Sequence, residues 1–136
     1  MLFKFAVEAF VKLKKLCVAL RKNYNMDIEN FRAYNLSLKG TTEGMKWDHL
    51  CFMIAEKLFV IIDLELGSFS IKCDPEDFDA LIGRPGIQQA PHMAKRQWIK
   101  VSGLEVMSDE ELKARIATSR ALIMAKLSKK LQALYV

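Results

Sequence analysis

Ile28, Phe31, Tyr34, Asn35 and Leu38 recur at the spacing of one helical face. Asp27 stands where an N-cap accepts free backbone N–H groups, and Gly40 closes the run, so the pattern predicts a first helix over 27–38. The period then shortens. Residues 49–55 and 58–64 are apolar runs rich in strand formers, separated by Glu56-Lys57, which is hairpin spacing. That pair is not the favoured Asn-Gly type, so the register stays open. Residues 68–73 alternate strictly, placing Phe69, Ile71 and Cys73 on one face and Ser70 and Lys72 on the other. One wet sheet face is expected.

Asp74-Pro75-Glu76-Asp77 is a helix start, because Asp74 accepts free N–H groups, Pro75 fits the first turn and the acids suit the helix dipole. Phe78, Leu81 and Ile82 supply its buried side. Gly83 and Pro85-Gly86 end it and open a loop that runs to about Arg96. Residues 97–101 read as a strand, with Ile99 and Val101 on one face and Trp98 and Lys100 on the other. Ser108 and Glu111 form a capping box for a helix containing Leu112 and Ile116, and Ile123, Leu127, Leu131 and Leu134 make a last helical stripe. The order predicts an α+β domain, an antiparallel β-meander with helices packed on one face.

Residues 1–25 do not read as part of that unit. Phe3, Phe10, Leu13, Cys17 and Leu20 fall on one side of a helical wheel and Lys4, Glu8, Lys15 and Lys22 on the other, so a basic amphipathic N-terminal helix is expected. It reads as a helix docked on the body, as a membrane-surface or partner-binding arm, or as an extension with little role. Lys12, Lys14 and Lys15 interrupt the apolar stretch that an export signal needs. The expected boundary lies at Met26, with the folded domain over 26–136.

Composition narrows the class. With 51% apolar and 27% charged residues among 136, the chain has the profile of one soluble domain with a well-supplied core. No apolar run reaches membrane-span length. Three scattered cysteines, Cys17, Cys51 and Cys73, make no disulfide framework and point to the bacterial cytoplasm. The net charge of +5 is unevenly spread: residues 1–24 hold six basic groups against Glu8, residues 25–79 five basic and eleven acidic, and residues 80–136 ten basic and four acidic. Such a dipolar body presents one basic face to a polyanion if the fold gathers the charges.

Catalytic constellations are mostly absent, which points away from an enzyme; His49 and Cys51 share a strand face, but no third orienting group accompanies them. There is no phosphate-cradling glycine loop, no nucleophile elbow and no pair of ligands at metal spacing; His49 and His92 have 42 residues between them. Cys51 and Cys73 sit in strand patterns as small core residues. The segment that stands out runs from Pro91 to Lys100. It joins His92, Lys95, Arg96, Trp98 and Lys100 with no acid between Arg84 and Glu105, a combination suited to phosphate contact beside a stacking aromatic. The competing reading has Trp98 covering a sheet edge while its basic neighbours face water.

Four stretches resemble, in order and spacing, the MmcQ/YjbR family of small bacterial proteins. They are Asp27 to Leu38, Ile71-Lys72-Cys73-Asp74-Pro75-Glu76, Pro91-His92-Met93-Ala94-Lys95 with Trp98, and Ala125-Lys126-Leu127-Ser128-Lys129-Lys130. The resemblance covers about residues 26–132 and departs at Ser128, where the family often has proline, and at Gln97, where histidine is common. It implies a frataxin-like fold described as a double-wing DNA-binding motif; with catalytic and metal motifs lacking, the expectation is a non-enzymatic DNA-binding domain without cofactor or metal, cytoplasmic and monomeric. Matched positions are Lys72, His92, Lys95, Trp98, Lys126, Lys129 and Lys130; Arg96 and Lys100 join them on local charge alone. The expectation is of cations distant in sequence converging on a solvent-facing Trp98 indole to touch phosphates. The alternative is a protein-interaction or regulatory module that uses the same face on an acidic partner, and a third reading is a small-ligand pocket around His92 and Trp98.

Overall fold

Asp27 leaves helical geometry and its carboxylate accepts the Asn30 N–H at 2.7 Å, which starts helix α1 (Ile28–Ser37). The computed structural model describes residues 7, 8 and 26–136. The expected N-terminal helix lies outside the described residues except for Val7 and Glu8, which are helical, and Val7 is buried within the core cluster. After α1 come β1 (Thr41–Lys46), β2 (His49–Ile54), β3 (Lys57–Ile62) and β4 (Phe69–Lys72). Helix α2 (Pro75–Ile82), β5 (Ile87–Gln89) and β6 (Trp98–Val101) follow, then a 3₁₀ turn (Leu104–Val106), α3 (Asp109–Met124) and α4 (Lys129–Tyr135). No described helix is long and apolar enough to cross a membrane.

The six strands form one antiparallel sheet in the order β1-β2-β3-β4-β6-β5. Two of them escape the hydrophobic pattern. β1, Thr-Thr-Glu-Gly-Met-Lys, and the three-residue β5 are the sheet's edges, where little apolar surface is needed, so neither strand advertises itself by alternation. β5 takes up part of the expected loop before Arg96. The β2–β3 hairpin turns on Ala55 and Glu56, both at positive φ (47° and 64°), one residue earlier than the expected Glu56-Lys57. A two-residue turn of that hand matches the strand twist even without Asn-Gly.

Register explains the layers. Glu43, Phe52, Val60, Ile71, Ile99 and Gln89 form one row across the sheet, and Met45, Leu50, Ile62, Phe69, Val101 and Ile87 form another on the same face. Phe31 of α1 packs on this face, its ring 6.2 Å from Phe52 and 5.4 Å from Phe69. Burying each such ring stabilises the fold by about 2–3 kcal/mol. Leu112, Ile116, Ser119 and Ile123 of α3 and Phe78 and Leu81 of α2 complete the helical layer. The intervening row, Gly44, Cys51, Ile61, Ser70, Lys100 and Gln88, belongs to the other face.

The α+β architecture with helices on one face is therefore as the pattern predicts. The C-terminal stripe is divided rather than continuous: Ile123 closes α3, while Leu131 and Leu134 belong to α4. Ser128 restarts the chain as helix, its hydroxyl accepting the Leu131 N–H at 3.3 Å as the N-cap of α4. Ser128 thus begins the last helix three residues past Ala125, which closes α3.

Candidate functional site

Lys72 ends β4, and Asp74 two residues later caps α2 by accepting the Glu76 N–H at 2.9 Å. The Cys73 N–H donates to the Gln97 carbonyl at 2.8 Å, holding the β4 end against β6 so that Lys72 lies directly across from Trp98. On the other side the β2–β3 pairing slips beside Phe52, leaving Phe59 as the extra residue of a bulge. The Ser119 hydroxyl enters this gap. It accepts the Lys72 N–H at 2.9 Å and donates to the Phe59 carbonyl at 2.6 Å, replacing a rung that the two strands do not make directly. Ser119 falls on the stripe Leu112, Ile116, Ile123, and a polar residue in an apolar stripe is the sequence signal that marks it.

Two expectations of exposure fail here. Lys72 is only 7% exposed and Trp98 only 6%. Alternation assigned both to a wet face, but the Lys72–Trp98 row lies at the end of the sheet, where Lys126 from the α3–α4 link reaches the Lys72 amine. Burial, followed by the neighbouring Lys126 cation, pushes the Lys72 amine down to about 8. The indole faces no solvent and offers no stacking surface. Its loop folds back on it: the Ala90 N–H donates to the Trp98 carbonyl at 3.1 Å, and Gln89 accepts the Arg96 N–H at 2.9 Å.

Arg96 is also not a free cation. Its guanidinium holds Asp79 through two hydrogen bonds of 3.0 and 2.9 Å and lies 5.3 Å from the centre of the Phe78 ring. That contact keeps the Asp79 carboxyl below its ordinary range. His92 and Lys95 are exposed on the β5–β6 connection, and Lys100 is half-buried on the open face beside Ser70 and Gln88. Lys126, Lys129 and Lys130 are exposed, flanking the Ser128 break. The structure thus brings together Lys72, Trp98 and Lys126, three positions from three separate motifs, but as a buried amine, a buried ring and a surface cation.

The cations divide by type. All five described arginines serve the fold: Arg32 binds Glu43 (2.8 Å), Arg84 binds Glu111 (2.8 Å), Arg115 binds Asp77 (3.4 Å), Arg96 binds Asp79, and Arg120 donates to the carbonyls of Lys39 (2.6 Å) and Tyr135 (3.2 Å). Lys126, Lys129 and Lys130 have no carboxylate partner among the described residues. From Leu112 to Val136 the sequence carries six basic side chains and no acidic one. Among the described residues no three His, Cys, Asp or Glu side chains gather as metal ligands. Cys51 and Cys73 are buried, and burial pushes both thiols up, away from nucleophilic character.

A family model described as YjbR matches residues 36–122. A Deinococcus radiodurans protein with a DUF419 domain, known from its crystal structure, is 21% identical and superposes with a TM-score of 0.72 over 78% of this chain and 85% of that one. A Pseudomonas syringae protein is 25% identical in its crystal structure, with a TM-score of 0.60 over 71% of this chain and 98% of that one. A solution structure of a protein from the same organism is 24% identical, with a TM-score of 0.55 over 71% and 92%. No curated protein matches the chain.

Proposed function

The chain belongs to the YjbR family, and from that premise we propose that it binds duplex DNA through the phosphate backbone, as a non-enzymatic domain that does not read base sequence. The carrying observation is the set of exposed lysines, Lys126, Lys129 and Lys130, in a C-terminal stretch without acidic side chains. A lysine ammonium is a point charge suited to single phosphate oxygens, whereas bidentate base recognition is the work of guanidinium groups. The described arginines are committed inside the fold, which fits backbone contact without sequence choice. Lys95 and Lys100 add charge from the β5–β6 connection and the strand after it, and the exposed His92 stands beside them. Lys72 and Trp98 do not touch the ligand in this reading; they support the Lys126 end from beneath.

The test is a salt series of full-chain binding to a short duplex. Log affinity is expected to fall linearly with log salt, and replacing Lys126, Lys129 and Lys130 by glutamine flattens the slope by about 0.9 for each phosphate no longer neutralised. Absence of salt-dependent binding at low ionic strength overturns the reading. A second reading rests on α4, where Leu134 and Val136 are 60% and 88% exposed beside the same lysines. Such a mixed apolar and basic surface suits an acidic protein partner. Leu134→Gln separates the two: it leaves DNA affinity unchanged under the first reading and weakens partner binding under the second.

A further inference from the structure

Ser68 is a buried polar residue whose hydroxyl has no task inside the fold. The side chains of Asp27, Asn35 and Ser119, also buried, each hydrogen-bond to the chain; that of Ser68, in a residue only 7% exposed, makes no such bond among the described residues. A buried hydroxyl without a partner costs stability and calls for a reason. Ser68 lines a cleft of about 450 Å³ on the open face of the sheet, together with Leu66, Gly86, Gln88, Lys100 and Ser102. Ser70, Lys100 and Gln88 stand in one row across β4, β6 and β5. Ser68 and Ser102 fall side by side in the next row of that face, since each adjoins the Phe69–Val101 pair. The Ser102 N–H donates to the Gly86 carbonyl at 2.8 Å, and a Cβ on Gly86 would stand 2.8 Å from the Ser102 hydroxyl, so glycine leaves that hydroxyl its room.

Lys100 supplies the charge. It is half-buried and has no ion pair or hydrogen bond among the described residues. Its field reaches Asp63, but that carboxylate is taken up by the Glu65 and Leu66 N–H groups at 2.8 and 3.0 Å and by His49 Nε2 at 3.5 Å. Adjacent strands lie about 5 Å apart and same-face neighbours along a strand about 7 Å apart, so an ammonium, two hydroxyls and an amide border the cleft from four corners. We propose that this cleft binds a small phosphomonoester, with the phosphoryl group against Ser68, Gln88, Lys100 and Ser102 and the organic part against Leu66. Donors at four corners match the tetrahedral oxygens of a phosphoryl group, whereas a carboxylate offers two oxygens in one plane. The volume is that of a small-molecule site, with room beyond the phosphate, and Leu66, 72% exposed, is the apolar wall for the remainder. The cleft adjoins the end of β4 opposite Lys72 and lies on the face opposite the helices, so the inference goes beyond duplex binding through Lys126, Lys129 and Lys130 and does not depend on it.

The test is a titration of the full chain with phenyl phosphate, followed by amide shifts of nitrogen-15-labelled protein, with benzoate and phenol as separate arms and no nucleic acid present. Phenyl phosphate is expected to saturate in the millimolar range or below, with shifts centred on residues 66–70, 86–88 and 100–102. Benzoate binds more weakly, and phenol gives no saturable shift. Ser68→Ala weakens phenyl phosphate about fivefold and Lys100→Gln about tenfold, as loss of one neutral and one charged hydrogen bond requires. The Ser68→Ala unfolding midpoint stays unchanged or rises, because the hydroxyl holds nothing inside the fold; a merely structural hydroxyl would lower it. Absence of saturable shifts at these residues, benzoate binding as tightly as phenyl phosphate, or unchanged affinity in both folded variants overturns the proposal. Duplex affinity is read in its own salt series, so either reading can fail alone.

Discussion

Ser119 carries a rung of the sheet that neither strand supplies. Removing its hydroxyl leaves the Lys72 N–H and the Phe59 carbonyl buried without partners, at a cost of about 1–3 kcal/mol each. Ser119→Ala is therefore expected to lower stability by about 2–4 kcal/mol in urea unfolding, with an unchanged slope. Lys72 works in the opposite sense. Its amine titrates near 8 in the folded chain and near 10.5 when free, so between those values the unfolded chain binds more protons and stability rises with pH. The penalty is fully present below pH 8. Lys72→Met removes it, and unfolding curves are expected to show a gain over the native chain of up to about 3 kcal/mol at pH 7 that shrinks toward pH 10. The residue types at this site were legible in the sequence, since Lys72, Trp98 and Lys126 each lie in a recognisable motif. Their burial was not, because alternation reports which side of a strand a residue takes and not what closes over the end of the sheet.

At the scale of elements, the C-terminal helix is held by its neighbours more than by its seven residues. Arg120 binds the Tyr135 and Lys39 carbonyls, Lys39 binds the Val136 carbonyl at 3.0 Å, and the Tyr135 ring sits against Gly40. Gly40 has φ 78°, and a Cβ there would run into that ring. Gly40→Ala is expected to undock α4, seen as faster amide exchange across Lys129–Tyr135. Adding Tyr135→Ala relieves the clash but not the backbone strain, so the double variant recovers less than the full loss of stability. Elements with an internal signal were readable: α1, α2 and α3 start at the expected Asp27, Asp74 and Ser108 caps. The two edge strands were not, because β1 is polar and β5 short. Their pairing comes from neighbours already in place.

Across the described residues, the division between arginines paired within the fold and the exposed Lys126, Lys129 and Lys130 separates folding from surface charge. Replacing Lys129 and Lys130 together by glutamate is expected to move stability by less than about 0.5 kcal/mol per site, since both are exposed and neither has a carboxylate partner among the described residues, while weakening salt-dependent DNA binding. A calorimetric scan and the binding series on the same variant check both halves. By themselves, the residues determined the α+β class, the main helix starts and the core face of β4, because periodicity and capping act over a few neighbours along the chain. The surplus of basic groups toward the C-terminus was equally plain. Only the folded chain decided that Trp98 and Lys72 lie inside, that Arg96 is spent on Asp79 and that Ser119 spans Phe59 and Lys72. Those outcomes depend on partners 17 to 60 positions away in sequence, and contact at such separation follows from how layers stack, which no local pattern encodes.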